Sequence, residues 1–249
     1  MKTALAKSFE KMGARVKVEE PFRSPFLRRI PVGEAFSLDV RRDKKGEYFV
    51  VTKAAEDPTE LVVLDIRPDD RSLLLLTRDG KKKARYLAGH DERNWFVAAI
   101  PEKSPVSTVA AAKVALKPAP VKEAEGVIRQ GEWFFIPRPK AVFDEKLILR
   151  NEPLIRGRGS KPHRVEELVR SGGETVYVKG SQVLNEASYA KLDSTKNRGF
   201  SIMRRNPKVF VRGRVKHADH KTIVLAGWHE VLMNTENESL AKANVAFID

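Results

Sequence analysis

The chain begins with apolar residues at helical spacing and then changes to short segments in which apolar and polar residues alternate. Leu5, Phe9 and Met12 recur every three to four positions, which predicts a short helix that ends at Gly13. Clusters of Gly, Asp, Pro and Lys separate the alternating segments that follow, as is typical of turns. These segments cover residues 14–20, 36–42, 47–53, 60–66, 72–78, 84–90 and 94–100. The pattern predicts an antiparallel meander, with edge lysines and arginines that discourage edge-to-edge association.

An alanine-rich segment and a pair of prolines follow the predicted meander. Residues 105–117, PVSTVAAAKVALK, predict a short helix that Pro118 and Pro120 stop. We therefore place a domain boundary in residues 119–126. It divides the chain into an N-terminal antiparallel β-rich domain (1–118) and a C-terminal α+β domain (126–249). The alternative is that the helix packs on the meander and that both halves share one core.

The second half mixes strand-like and helix-like patterns. Residues 146–180 predict a strand, a glycine-rich loop, a helix over Val165, Leu168 and Val169, and another strand. Gly172 and Gly173 would end that helix. Asn185 is the expected N-cap of a further helix in residues 186–192. The expected fold class is therefore α+β and strand-dominated.

A basic β-hairpin is the most distinctive segment of the second half. Val209, Val211 and Val215 alternate with polar residues on one arm, and Ile223 and Leu225 do so on the other. The sequence predicts a two-residue turn at Ala218–Asp219, which would pair His217 with His220 across the ladder.

Composition restricts the class of protein. In 249 residues, 41% are apolar and 32% charged, which excludes a mainly disordered chain. The absence of cysteine excludes disulfides, thiolate nucleophiles and cysteine-based zinc sites. No run approaches the roughly 18 apolar residues that a membrane span needs. We therefore expect a cytoplasmic protein with no membrane partner.

Positive charge gives the strongest indication of a partner. Lys and Arg number 47 against 33 Asp and Glu, a net charge of +14. Residues 191–221 hold ten basic residues against Asp193 and Asp219, so ten minus two gives +8 in this short segment. Such a concentration favours nucleic acid, although a solvated basic surface without a partner would have the same composition. RNA or single-stranded nucleic acid is favoured, because no helix-turn-helix, zinc-finger or basic-zipper pattern is present.

The candidate phosphate-binding residues come from two segments. A glycine-rich loop lets backbone N–H groups approach an anion, but this loop lacks the spacing of a P-loop or of a dinucleotide fingerprint. We expect the loop and the basic hairpin to converge in one surface. Its predicted members are Arg156, Arg158, Lys161, Arg164, Arg204, Arg205, Arg212, Arg214 and Lys216.

The histidines suggest a second, enzymatic hypothesis. A straight hairpin would place His229 roughly 30 Å from His217 and His220, so these three would not share a metal ion. We therefore predict no metal and no other cofactor. His163, His217, His220 and Lys221 instead carry the groups for a metal-independent ribonuclease or phosphoryl-transfer site. His163 would complete such a site if the glycine-rich loop folds over the hairpin.

Two further interpretations stay open at this point. His90, Asp91 and Glu92 could bind a metal or act as an acid–base pair, although a charged turn between two strands explains them as well. The protein could also be a basic subunit of a larger protein or ribonucleoprotein complex.

Overall fold

The computed structural model describes residues 4–20, 36–53, 58–156, 161–193 and 199–238. It is strand-dominated, as the sequence predicts, with four α-helices and sixteen strands in these residues. None of the described helices combines the length and the apolar character that crossing a membrane requires.

The N-terminal helix and the first sheet pack together. Helix α1 covers Ala4–Lys11, and Gly13 follows it with φ of +81°, which confirms the predicted end. Strands β1 (Val16–Glu19), β2 (Phe36–Asp43) and β3 (Gly46–Lys53) form a sheet in the order β1-β3-β2. The expectation of a purely antiparallel arrangement is wrong here, because β1 runs parallel to β3.

The predicted meander is present as a second sheet. Its strands are β4 (Glu60–Arg67), β5 (Ser72–Asp79), β6 (Lys82–Asp91) and β7 (Asn94–Ile100), each antiparallel to the next. Strand β5 is buried on both faces. Leu73 and Leu75 pack with Phe9 and the first sheet, whereas Leu74 packs in the core that includes Val109. A leucine run that does not alternate is therefore explained by burial on both faces.

Two short helices connect the halves of the chain. Helix α2 covers Val109–Ala115 and begins after Thr108, whose side chain accepts a hydrogen bond from Ala111 N–H. Helix α3 (Ala119–Glu123) starts directly after Pro118, so the prolines end one helix and open the next. Thr235, near the end of the described chain, donates a 2.8 Å bond to the Ala115 carbonyl and thus ties the second half to α2.

The second half is built on a six-stranded antiparallel sheet. Its order is β10-β11-β15-β16-β9-β8. The strands are β8 (Ile128–Gln130), β9 (Trp133–Pro137), β10 (Leu149–Leu154), β11 (His163–Ser171), β15 (Lys208–Lys216) and β16 (Ile223–Met233). Phe135, Leu168, Val211 and Leu225 form its buried core.

The helix predicted over Val165, Leu168 and Val169 is wrong, since these residues belong to strand β11. The ladder to β15 has a register irregularity between Val165 and Glu167, and the burial pattern changes phase there. Two buried residues therefore stand three positions apart, which imitates a helical repeat.

A small third sheet lies between β11 and β15 in the sequence. It contains β12 (Glu174–Lys179), β13 (Gln182–Asn185) and β14 (Ser201–Arg205), in the order β13-β12-β14. Helix α4 (Glu186–Ala190) follows β13, and Asn185 caps it by accepting a bond from Ser188 N–H, as predicted.

The basic hairpin has a longer connection than predicted. The last ladder partners are Val215 and Ile223, so residues 217–222 form a loop rather than a two-residue turn. His217 and His220 consequently lie in that loop and are not ladder partners, which corrects the sequence-based interpretation.

Candidate functional site

Three histidines from two separate segments meet at one end of the six-stranded sheet. His163 opens β11, directly after the glycine-rich loop, and His217 and His220 lie in the loop between β15 and β16. The ring centroid of His163 lies 4.1 Å from that of His217 and 5.6 Å from that of His220. One nitrogen from each ring lies within 4.8 Å of the other two. His163 therefore lies beside the two histidines of the hairpin loop, whereas residues 157–160 of the glycine-rich loop lie outside the described residues.

His163 is the buried member of this histidine cluster. It is 1% exposed, and among the described residues neither of its ring nitrogens has a hydrogen-bond partner. Burial, with the neighbouring His217 and His220, lowers the pKa of His163 to about 3, so the ring is neutral at physiological pH. A buried polar group without a partner costs about 1–3 kcal/mol. The arrangement is therefore expensive unless something binds these nitrogens.

The His217 ring is held from its own loop, whereas His220 Nδ1 is buried without a hydrogen-bond partner among the described residues. The Nδ1 atom of His217 accepts a hydrogen bond of 3.2 Å from Asp219 N–H. The Asp219 carboxylate accepts a bond of 2.7 Å from Lys161 Nζ, which joins the end of the glycine-rich loop to the hairpin loop. Burial acts to raise the pKa of Asp219, but the hydrogen bond and charge of Lys161 outweigh it and the pKa is lowered.

The turn between β8 and β9 forms the floor of the cluster. A Cβ added at Gly131 would lie 2.9 Å from His220 Nε2 and 3.4 Å from His163 Nε2, so both atoms face the space above this glycine. Gln130 Nε2 donates a 2.6 Å bond to the Lys221 carbonyl and fixes the hairpin loop. Trp133 meets the His163 ring edge-to-face, and its Nε1 is buried without a hydrogen-bond partner among the described residues.

A cleft of about 950 Å³ opens beside the cluster. Its walls come from both halves of the chain and include His90, Asp91, Arg129, His217 and His220. The β6–β7 turn reaches the hairpin loop here, with Glu92 Oε2 at 4.0 Å from His220 Nδ1. Of the charged turn that the sequence suggests for His90, Asp91 and Glu92, only Glu92 lies in the turn itself, since β6 ends at Asp91, and the Glu92 carboxylate lies next to the histidines.

The remaining histidines lie outside the cluster. His229 is a ladder partner of Val211, and its Nδ1 lies 2.7 Å from the Gly227 carbonyl oxygen. His90 packs edge-to-face on Trp95. The group of histidines that could share an ion contains neither of them, which agrees with the argument that a hairpin separates His229 from His217 and His220.

Lys221 contributes to the site through its backbone. Its N–H donates a bond of 2.8 Å to Glu92 and its carbonyl accepts the bond from Gln130, whereas the residue itself is exposed. A catalytic role for the Lys221 ammonium group stays a prediction.

Most of the predicted phosphate-binding residues have acidic neighbours. Arg212 and Arg214 bind Glu167 and Glu166 across the ladder, at 2.6 Å and 3.0 Å. Further ion pairs join Arg205 to Glu174, Lys161 to Asp219 and the largely buried Arg156 to Glu236. The exposed Arg204 lies on β14, outside the six-stranded sheet, and donates a hydrogen bond to the Gly173 carbonyl. Arg158 lies outside the described residues.

Arg164 and Lys216 are different from the others. They are direct Cα partners in the β11–β15 ladder and both are exposed. Arg164 donates to the Asn151 carbonyl at 3.2 Å, and within the described parts of the chain neither residue has a carboxylate partner. The ladder therefore places Arg164, which follows the glycine-rich loop in the chain, beside Lys216 of the hairpin. That the nine residues form one phosphate-binding surface stays a prediction.

Sequence reasoning missed several residues of the site. Gly131, Gln130 and Trp133 belong to a strand-rich stretch that does not indicate a histidine site, and the sequence groups Glu92 with His90 and Asp91 instead of with His220. A glycine with φ of +57° between two short strands indicates a tight turn, but only the structure shows that histidine nitrogens face it. Comparison with models of known families, with curated proteins and with solved structures finds no match, so the site itself has to carry the inference of function.

Proposed function

We propose that the protein binds nucleic acid through backbone phosphates, on the solvent face of β10, β11 and β15. The observation that supports this proposal is the ladder pairing of Arg164 with Lys216. Like charges placed directly opposite each other in a sheet destabilise it. A phosphate bound between the two side chains relieves that repulsion and gains charge-assisted hydrogen bonds.

The rest of this face explains why the binding site lies at one end. Glu167 binds Arg150 and Arg212, and Glu166 binds Arg214, so the middle of the face is neutralised. Arg164 and Lys216, where β11 begins and β15 ends, make no ion pair among the described residues, although the charge of Lys216 contributes to the lowered pKa of Glu166. The proposed surface is accordingly smaller than the one that the sequence predicts. The ion-paired arginines act on a ligand mainly through the long-range electrostatic field of the protein.

Single-stranded nucleic acid or RNA is favoured over sequence-specific duplex DNA. The described helices have lengths of eight, seven, five and five residues, which is short for reading a major groove. A sheet face with flanking cations instead suits a strand whose backbone follows the surface.

The salt dependence of affinity tests the proposal. Binding of a fluorescein-labelled single-stranded RNA is measured by anisotropy over a range of salt concentrations, for the wild type and for the double variant Arg164→Gln/Lys216→Gln. Loss of two phosphate contacts reduces the slope of log K against log salt by about 1.4, since each contact contributes about 0.7 for single strands.

The control is the double variant Arg67→Gln/Arg78→Gln. It removes the same formal charge from exposed, ion-paired arginines of the first half, which bind Asp65 and Glu60. We expect its slope to equal that of the wild type. An affinity that does not vary with salt, or equal losses in the two double variants, contradicts a phosphate site at this pair.

A further inference from the structure

The histidine cluster brings three imidazole nitrogens to within 4.8 Å of one another beside a cleft. We propose that His163, His217 and His220 bind one divalent transition-metal ion, and that their ligand chemistry suits zinc. This inference does not depend on the proposed nucleic-acid binding, and it replaces the sequence-based expectation of no metal. Imidazole nitrogens suit zinc and its transition-metal neighbours, whereas magnesium and calcium require oxygen donors. Three histidine ligands with a further position open are typical of catalytic zinc sites.

The unused nitrogens of His163 are the first independent support. A buried histidine ordinarily uses at least one ring nitrogen in a hydrogen bond. Both ring nitrogens of His163 have no such partner among the described residues, although the side chain is 1% exposed. A metal ion bound to one of these nitrogens gives it the partner that it lacks.

The space above Gly131 is the second support. His163 Nε2 and His220 Nε2 both lie within 3.4 Å of the position that a Cβ would take at this residue. Any side chain other than hydrogen would therefore enter the region where the two donor atoms converge. The glycine leaves that region open for an ion.

Closing the site requires the hairpin loop to move and the stacked rings of His163 and His217, now 19° from parallel, to turn towards the ion. The donor atoms lie within 4.8 Å of one another, whereas Zn–N bonds of about 2.0–2.1 Å bring tetrahedral donors to about 3.4 Å. His217 must also release the 3.2 Å bond from Asp219 N–H. A neutral imidazole that binds a metal through one nitrogen carries a proton on the other, so neither choice of donor atom leaves Nδ1 able to accept that bond.

The surroundings of the cluster suit a partly open metal site. Glu92 Oε2 lies 4.0 Å from His220 Nδ1 and can accept a hydrogen bond from the Nδ1–H group when the loop closes, which leaves Nε2 for the metal. His217 and His220 line the cleft while His163 lies buried behind them. The fourth position therefore faces the cleft, where a water molecule or a ligand can reach the ion.

Metal titration of the full-length chain tests the site. The protein is stripped with a chelator, dialysed and titrated with Zn²⁺ by calorimetry, and separately with Co²⁺ by visible absorption. We expect one ion per chain and the absorption of tetrahedral Co²⁺. The double variant His217→Gln/His220→Gln should lose about 100-fold or more in affinity, since even residues behind the ligands contribute 10–100-fold. His90→Gln removes an imidazole from the same cleft outside the cluster and should bind like the wild type.

A pair of glycine substitutions tests the space for the ion while all three histidines are kept. Gly131→Ala adds a methyl group next to both Nε2 atoms, and we expect a loss of at least about 10-fold in zinc affinity. Gly180→Ala is the control, because its φ of +58° matches the +57° of Gly131 and nothing lies within 4 Å of the added atom. Circular dichroism verifies that both variants fold.

Three results would overturn the assignment. One is a wild-type chain that binds neither Zn²⁺ nor Co²⁺ in a one-to-one ratio. Another is an equal loss in Gly131→Ala and Gly180→Ala. The third is RNA cleavage by the chelator-treated protein that His220→Gln abolishes, because this would assign the histidines to metal-free acid–base chemistry. The RNA anisotropy measurement is read independently of all three.

Discussion

Glu92 Oε2 accepts a hydrogen bond of 2.8 Å from the backbone N–H of Lys221. The turn between β6 and β7 thereby holds the loop that carries His217 and His220. The backbone φ of Glu92 is +42°, a value that residues other than glycine seldom adopt. The turn therefore holds this carboxylate in place at the cost of some backbone strain. Beside it, Asp91 binds Arg129 at 3.2 Å. The position of the histidine loop thus depends on contacts with the first half of the chain.

We expect Glu92→Ala to loosen this loop. The variant removes the acceptor for Lys221 N–H, at a cost of about 0.5–1.5 kcal/mol for a bond that is partly exposed to solvent. Hydrogen exchange of the Lys221 amide should accelerate, while exchange in β5 stays unchanged. Glu92→Gln keeps an acceptor oxygen and should exchange more slowly than the alanine variant. Equal protection of Lys221 in the wild type and in Glu92→Ala would contradict this role.

The sequence predicted those parts of the fold in which burial is regular. The meander strands, the end of α1 before Gly13 and the Asn185 cap all follow from local patterns. Strand β11 was predicted as a helix, because an irregular ladder at Val165 changes the spacing of its buried residues. A register shift depends on the partner strand, so the sequence of one strand does not contain it.

The candidate site was predictable only in part, for the same physical reason. His163, His217 and His220 were selected as reactive groups, and their convergence required only that two neighbouring loops fold together. The contributions of Glu92 and Gly131 depend on packing between segments that are distant in the chain. The sequence does not indicate the acidic partners of Arg212 and Arg214, because the predicted helix over Val165–Val169 contains Glu166 and Glu167, which the structure places on a strand beside β15.

Gly173 should be much less tolerant of substitution than its neighbour Gly172. A Cβ at Gly173 would lie 2.7 Å from the Arg205 carbonyl oxygen and 3.0 Å from Pro207, both backbone atoms that do not yield easily. Nothing lies within 4 Å of a Cβ at Gly172, and the two glycines have similar φ of +81° and +72°. We expect Gly173→Ala to lower the free energy of unfolding by about 1–3 kcal/mol more than Gly172→Ala, by urea denaturation. Equal costs would show that strain in φ alone explains both.

Glu230 should contribute more to stability than an exposed carboxylate. Its side chain is 7% exposed and binds Arg138 at 2.6 Å and Lys208 at 3.1 Å. Glu230→Gln removes the charge that both cations face, and we expect it to cost about 1–3 kcal/mol in the free energy of unfolding. The control is Glu60→Gln, since Glu60 is 59% exposed and lies 3.4 Å from Arg78, a pair worth about 0–1 kcal/mol. Thermal denaturation of both variants at one pH checks the difference, and similar melting temperatures would contradict it.

Acid should weaken the contact between Arg15 and Asp43. Their hydrogen bonds, with that from Lys45 N–H, lower the pKa of Asp43 from 3.8 to about 2, against the opposing effect of burial. A carboxylate whose pKa is depressed by folding stabilises the native state above its unfolded pKa, and this contribution is lost as the pH falls. The difference in unfolding free energy between the wild type and Asp43→Asn should therefore be constant above pH 3.8 and shrink towards pH 2. Arg15→Gln should reduce the same pH dependence, because it removes the main cause of the shift. Urea denaturation at several pH values measures both, and a difference that stays constant down to pH 2 would show that the ion pair does not control this carboxylate.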